Sequence, residues 1–257
     1  MSNKESAKKT IVVSLLLCVV CSIVVSTAAV LLKPAQELNK SLDFKRNILA
    51  AAGLLKPDVD VETQFQQVTT KIVDIDAGTF TDQFDVEQFD QRKSSGDSAL
   101  STSLSGDEDI AKIARRENFA KVYLIEGSEG VDKVILPIKG YGLWSTMYGF
   151  VALESDMNTV VGVGFYEHGE TPGLGGEIDN PNWKALWVGK KIYADDGALS
   201  VEVVKGKVNA RSDSAQYQVD GISGATLTSR GVSNLMRFWL GESGYASFLN
   251  NFKNGEA

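Results

Sequence analysis

Cysteine, histidine and proline are scarce: two, one and five residues among 257. Both cysteines, Cys18 and Cys21, sit in the first apolar stretch. The rest of the chain therefore needs no disulfide and can offer no all-protein thiolate metal site. The single histidine, His168, cannot supply the several ligands of a catalytic zinc. Nor can a Ser/His/Asp triad be argued from one histidine in this context. Positive charge is also short, with 26 Lys and Arg against 33 Asp and Glu and a net charge of -7. A nucleic-acid binder usually shows the opposite balance. No G-x-G-x-x-G follows a strand-like run, so the dinucleotide fingerprint is missing and this chain is not expected to bind NADH. No internal repeat is visible.

What is present begins with an uncharged run over 11–32. As a helix rising about 1.5 Å per residue it spans about 33 Å, enough for a bilayer core. Lys4, Lys8 and Lys9 precede it, which places the tail 1–10 in the cytoplasm and the large domain outside. Lys33, Lys40, Lys45 and Arg46, beyond the far end, pull the other way. A cleaved signal peptide is the rival reading, but its apolar core is about 7–15 residues. The span has no Asp, Glu, Lys, Arg or His, so alone it offers no hydrophilic ion path. Cys18 and Cys21 share one helix face. They are either a half-site for a metal or iron–sulfur cluster shared with another subunit, or small apolar residues.

Residues 33–118 form a membrane-proximal helical and mixed segment. Leu38, Leu42, Ile48, Leu49 and Ala52 predict a helix over 35–55, with Gly53 near its end. Val61, Phe65, Val68 and Ile72 suggest a short helix running into a strand. The stretch 94–109 is rich in Ser, Gly and Asp and reads as a surface loop. From Phe119 the texture changes to strands. Runs at 122–125 and 134–136 flank a turn at 127–130, and 147–153 and 159–166 make a second hairpin. A helix around 183–188, short strands at 192–193 and 199–204, and a helix over 227–240 ended by Gly241 complete the pattern. Antiparallel hairpins mixed with helices predict an α+β domain over 119–257.

Within that domain, Asp220-Gly221 is a turn signal, and Ser223 precedes the last helical pattern as an expected N-cap. Gly221, Gly224 and Ala225 keep side-chain bulk low there. Unpaired N–H groups, the positive end of a helix dipole and little steric cover are the ingredients of a phosphate site. Two hydroxyls, Thr226 and Thr228, lie in the first turn. Sequence physics does not choose between them, nor between a ligand site and an ordinary capped helix.

The run Asp220-Gly221-Ile222-Ser223-Gly224-Ala225-Thr226 resembles the flavinylation motif of bacterial FMN-binding domains. His168-Gly169-Glu170-Thr171-Pro172-Gly173-Leu174-Gly175-Gly176-Glu177 is similar to that family's second signature. Gly140-Tyr141-Gly142-Leu143-Trp144-Ser145 resembles a further one. Order, spacing, the N-terminal span and Phe238-Trp239-Leu240-Gly241 together resemble the family of C subunits of the sodium-translocating NADH:quinone oxidoreductase.

The resemblance implies FMN joined by a phosphoester to Thr226 rather than Thr228, with Asp220 linked to attachment. It implies installation outside the cytoplasm by a flavin transferase using FAD and a divalent metal. The protein would be a single-pass subunit of a bacterial inner-membrane complex with its FMN domain in the periplasm. It would carry electrons in a complex that oxidises NADH, reduces ubiquinone and exports sodium, all three bound by other subunits. Gly173, Gly175 and Gly176 suit close backbone approach to a flat ring. Leu143 and Leu174 are placed to pack on its faces, and Trp144 to stack or exclude water. Thr171, Ser145 and the loop around Glu170 are placed to hydrogen-bond it. Lys205 and Lys207 either oppose phosphate or flavin charge or are solvated lysines at a strand end. His168 is either a proton carrier or a loop residue beside the site. Two alternatives stand beside this reading. One is the flavin subunit of the related ferredoxin:NAD oxidoreductase complex. The other is a non-redox, membrane-anchored assembly subunit.

Overall fold

The computed structural model describes residues 7–128 and 130–257. Lys4 and most of the tail 1–10 lie outside the described residues, as does position 129 of the turn at 127–130. The chain divides into two compact units between Asp43 and Phe44.

Helix α1 (Ala7–Ala51) is continuous through Pro34 and joins the span 11–32 to most of the segment 35–55, which the sequence read as separate helices. A proline removes one helical hydrogen bond, and here the helix continues on both sides of it. The helix includes one stretch long and apolar enough to cross a membrane, with mean hydropathy 2.8 and none of it buried. Cys18 and Cys21 are exposed free thiols on that stretch.

The second unit starts with the end of α1 and continues through α2 (Val61–Phe65), β1 (Val68–Asp74), β2 (Thr79–Phe80), α3 (Gln91–Ser94), β3 (Ser101–Ser103) and β4 (Arg115–Glu117). Then come β5 (Phe119–Gly127), β6 (Gly130–Tyr141), β7 (Thr146–Glu154), β8 (Val160–Glu167) and α4 (Pro181–Ala185). The last elements are β9 (Glu202–Val203), β10 (Gln218–Val219), α5 (Thr226–Trp239) and α6 (Ala246–Asn254). Six strands form one antiparallel sheet in the order β2-β1-β5-β6-β7-β8. The architecture is the expected α+β one. The change of texture at Phe119 is not a break in packing, because β1 pairs with β5 from Val68↔Ile125 to Asp74↔Phe119. The Ser-rich stretch 94–109 is likewise not all loop, since β3 pairs with β4.

The sheet is buried on both faces, which explains strands that read as nearly continuous apolar runs. Side chains alternate along a strand. Val122, Leu124, Val151 and Leu153 join the cluster formed with α5 and α6. Their neighbours Tyr123, Ile125, Phe150 and Ala152 join Ile48, Ala51 and Ala52 at the end of α1. Phe44 sets its ring edge-on against Phe150 and Tyr166, each at 5.1 Å.

Helix α5 buries Thr228, Ser229, Val232, Leu235, Met236 and Trp239, the stripe a 3.6-residue period places on one face. It is tied to β6: Trp239 Nε1 donates to the Lys139 carbonyl at 2.7 Å. Tyr245, just beyond α5, donates to the Pro137 carbonyl at 3.0 Å. Those bonds fix α5 on the strand that runs out at Tyr141 into the 142–145 turn.

Candidate functional site

Three segments distant in sequence meet at the start of α5: the β6–β7 turn 142–145, the loop 168–180, and the approach 220–226. The β6–β7 turn closes with Gly142 N donating to Ser145 O at 2.9 Å. The loop that follows β8 is stapled to it, because Gly169 N donates to Ser145 Oγ at 2.6 Å. Glu170 makes the central connection. Its Oε1 accepts the backbone N–H of Leu143 at 3.0 Å and of Trp144 at 2.9 Å. Its Oε2 accepts the Thr228 hydroxyl at 2.5 Å. Burial pushes this carboxyl's pKa up, but the hydrogen bonds from Thr228, Trp144, Leu143 and Ser145 outweigh it and hold the group below the usual carboxylate range. A carboxylate that accepts this many donors is held in its ionised form.

The chain leaves room for that carboxylate on two sides. A Cβ on Gly142 would lie 2.5 Å from Glu170 Oε1. A Cβ on Gly175 would lie 2.6 Å from Glu170 Oε2 and 2.5 Å from Thr228 Oγ1. Gly175 is thus required by packing inside the protein, where the sequence suggested approach to a ring. Gly176 packs on the Thr171 carbonyl. Gly173 is exposed, with nothing near its missing side chain.

The start of α5 also departs from expectation. Ser223 is not the N-cap; Ala225 occupies that position, and no side chain caps the helix. Ser223 is exposed in the turn before it. The capping pattern misled because Gly224 takes φ +74°, a left-handed conformation that adds a turn between Ser223 and the helix. Ser229, from inside α5, instead accepts the Ile222 N–H at 3.0 Å. The Asp220-Gly221 turn is held from three sides. Asp220 Oδ1 accepts Val208 N at 2.8 Å, and its carbonyl accepts Trp183 Nε1 at 2.8 Å. Gly221 N donates to the Gly206 carbonyl at 2.7 Å, which brings the exposed Lys205 and Lys207 segment alongside.

The two threonines part company here. Thr226 is the first residue of α5 and is exposed, whereas Thr228 is fully buried with its hydroxyl given to Glu170. The three segments joined at the start of α5 carry several exposed large apolar side chains. Leu143 is 39% exposed, Trp144 65%, Leu174 45% and Leu227 52%. Leu174 reaches over Gly224, its Cδ2 3.0 Å from where a Cβ would stand. Thr171 is exposed on the same loop.

His168, which sequence reading left between two roles, braces this loop. Its Nδ1 accepts Glu170 N at 3.2 Å, so Nε2 carries the proton toward Asp179 Oδ2 at 2.7 Å. Among the described residues no cluster of three or more His, Cys, Asp or Glu is arranged to hold a metal. The Glu170–Thr228 connection was missed by sequence reasoning, which read Thr228 as a hydroxyl at a phosphate site and Glu170 as part of a ring-binding loop. Nothing in local spacing signals a bond between residues 58 positions apart.

The FMN-binding domain family model matches residues 142–241, from the β6–β7 turn to the residue after α5's cap. The full chain is 53% identical to the C subunit of the Na(+)-translocating NADH-quinone reductase of Pseudomonas aeruginosa, with 100% of each covered. It is 47% identical to the protein of the same name from Yersinia pestis, covering 98% of this chain and 96% of that one. The crystal structure of Shewanella oneidensis NqrC matches with a TM-score of 0.77 at 36% identity, over 84% of this chain and 99% of that one. Full-length identity at this level, together with the matching fold, shows that the chain belongs to the NqrC family, the C subunits of Na(+)-translocating NADH-quinone reductases.

Proposed function

We propose that this protein is the membrane-anchored, FMN-carrying electron-transfer subunit of a sodium-translocating NADH:quinone reductase, with the flavin phosphate esterified to Thr226. The observation that carries the assignment is the contrast between the two hydroxyls. Thr226 is exposed at an uncapped helix start, while Thr228 is buried and already bonded. The first N–H groups of a helix have no intrahelical partner, and the helix dipole favours an anion there. A phosphate on Thr226 would meet both needs.

The surrounding residues fit the remainder of the group. Leu143, Trp144, Leu174 and Leu227 offer exposed apolar surface for a ring, with Ser145, Thr171 and loop N–H groups at its edge. Lys205 supplies positive charge beside the Asp220-Gly221 turn. FMN when bound supplies the redox chemistry; the protein places it and tunes it.

Attachment needs an external flavin transferase acting on FAD with a divalent metal. The Thr226 oxygen forms a bond to the flavin-side phosphorus. The pyrophosphate bond to adenylate breaks, and adenosine monophosphate leaves with the hydroxyl proton. On this reading α1 anchors the subunit in the bacterial inner membrane and the flavin domain faces the periplasm. NADH, ubiquinone and sodium belong to the partner subunits. Among described residues the one candidate span has no Asp, Glu, Lys, Arg or His from Ile11 to Leu32. The full-length relatives favour this reading over the ferredoxin:NAD complex.

The test is a denaturing gel under ultraviolet light. The full chain, exported and co-expressed with a flavin transferase, gives a fluorescent band that Thr226→Ala abolishes. The flavin mass is expected on tryptic peptide 212–230. A fluorescent Thr226→Ala band would overturn the assignment. Flavin on a cytoplasmic variant lacking 1–32 would overturn attachment outside.

A further inference from the structure

We infer that Glu170 is a positioning residue whose carboxylate clamps the 142–145 turn to the first turn of α5, and so holds Leu143 and Trp144 beside the flavin on Thr226. The inference rests on Thr226 being the flavin acceptor. Its own support is geometric. One carboxylate oxygen takes two consecutive N–H groups of the turn, and the other takes the Thr228 hydroxyl. Glu170 is 5% exposed and Thr228 0%, so these bonds form away from water. Trp144 is 65% exposed, so its position is set largely through its backbone. Glu170 grips that backbone at the residue and at its neighbour. Ser145 adds a second tie to Gly169, so the turn is held at its middle and at its end. Gly142 and Gly175 leave the space in which the carboxylate sits. Thr228 lies two residues after Thr226, so the clamp is anchored within the same helical turn as the flavin. Side-chain length matters too: an aspartate would fall short by about 1.5 Å, one carbon–carbon bond.

Separating clamp from charge is possible because Gln can copy the bonding. Its amide oxygen can take both turn N–H groups, and its amide nitrogen can donate to Thr228, whose hydroxyl then accepts. The experiment uses the full chain with flavin attached, in detergent, and reads fluorescence yield and visible circular dichroism of the flavin. A tryptophan in contact quenches that fluorescence, and a fixed asymmetric surrounding induces that dichroism. Trp144→Phe calibrates the quench and is expected to raise fluorescence several-fold. Glu170→Ala and Thr228→Val are expected to raise it comparably and to weaken the dichroism, while Glu170→Gln stays close to the unmodified chain. Should Glu170→Ala not fold, Thr228→Val carries the test, since it removes one hydroxyl; wild-type signals from Thr228→Val would then overturn the clamp. A Glu170→Gln signal as disturbed as that of Glu170→Ala would also overturn it, showing that charge rather than bonding acts. So would a Trp144→Phe chain with unchanged fluorescence. Absence of flavin from the unmodified chain would instead strike at Thr226, a result distinct from all of these.

Discussion

Gly175→Ala separates two explanations of the loop's glycines. If Gly175 exists to let a ring approach, alanine should damage flavin binding and leave the flavin-free protein intact. The structure says otherwise. The new methyl would stand 2.5 Å from Thr228 Oγ1, 2.6 Å from Glu170 Oε2 and 3.1 Å from Glu170 Cβ. These neighbours are buried and bonded to each other, so neither yields freely. Overpacking a closed site costs about 1–3 kcal/mol. Stretching a hydrogen bond to a charged acceptor puts at risk a further contribution of about 1.5–3 kcal/mol. Allowing for partial relaxation, the expected loss is about 2–4 kcal/mol, or roughly 5–15 °C in melting temperature for a unit of this size. The assay is thermal and urea unfolding of the full chain in detergent, made without a flavin transferase. Gly173→Ala is the internal comparison. Its φ is +75° with no atom within 4 Å of the added carbon, so only backbone strain, about 1 kcal/mol, applies. Flavin-free Gly175→Ala within about 0.5 kcal/mol of wild type would refute the packing argument.

Other expectations follow from the same geometry. Asp156 closes the β7–β8 hairpin by accepting Asn158 N at 2.9 Å and Thr159 N at 2.7 Å. Burial raises its pKa, but bonds from Thr159, Asn158 and Lys191 prevail and hold it down to about 2. Its folded pKa lies below its unfolded one, so the stability it confers is present above the ordinary aspartate pKa and is lost as pH falls through the folded value. Because the side chain is 44% exposed, screening limits this to roughly 1 kcal/mol; Asp156→Asn should flatten the acid limb of a pH–stability curve below pH 4, roughly. Asp220→Ala should cost about 1 kcal/mol by orphaning Val208 N, whereas Asp220→Asn keeps the acceptor and the stability. If Asp220→Asn also keeps flavin loading on the gel, the turn rather than the charge serves attachment. Trp239→Phe removes the donor to Lys139 O and part of a fully buried ring, and should lower unfolding free energy by about 2–3 kcal/mol.

The hairpins, the long apolar helix and α5 could be read from the sequence because each follows from a local period. Strands β7 and β8 begin and end within a residue of their apolar runs. What escaped reading depends on contacts between distant residues. Strand β1 belongs to the main sheet only because β5 lies beside it. Helix α6 follows a Gly-rich corner and is short; its signals were Phe248, Leu249 and the left-handed Gly255 at its end. In the site, Thr226 and Thr228 were equivalent as sequence, being two hydroxyls in one helical turn. They differ because the helix rotates one outward and the other toward Glu170. The glycines showed the reverse problem. Their number signalled close approach, but only the fold shows that Gly142 and Gly175 approach a carboxylate.

The uncapped start of α5 ties these points together. A helix whose N-cap is Ala225 forgoes a side-chain cap worth about 1 kcal/mol, although Ser223 stands two residues away. The left-handed Gly224 is what keeps the serine out of the capping position. A serine cap would fill the N–H groups that a phosphate on Thr226 needs. The same turn exposes Thr226 and lets Leu174 lie across Gly224, where any larger residue would push it away. On the proposed reading, the motif therefore sacrifices a little helix stability to keep an anion site open until the flavin arrives. The phosphate then takes the place of the missing cap, so attachment both loads the carrier and completes the helix.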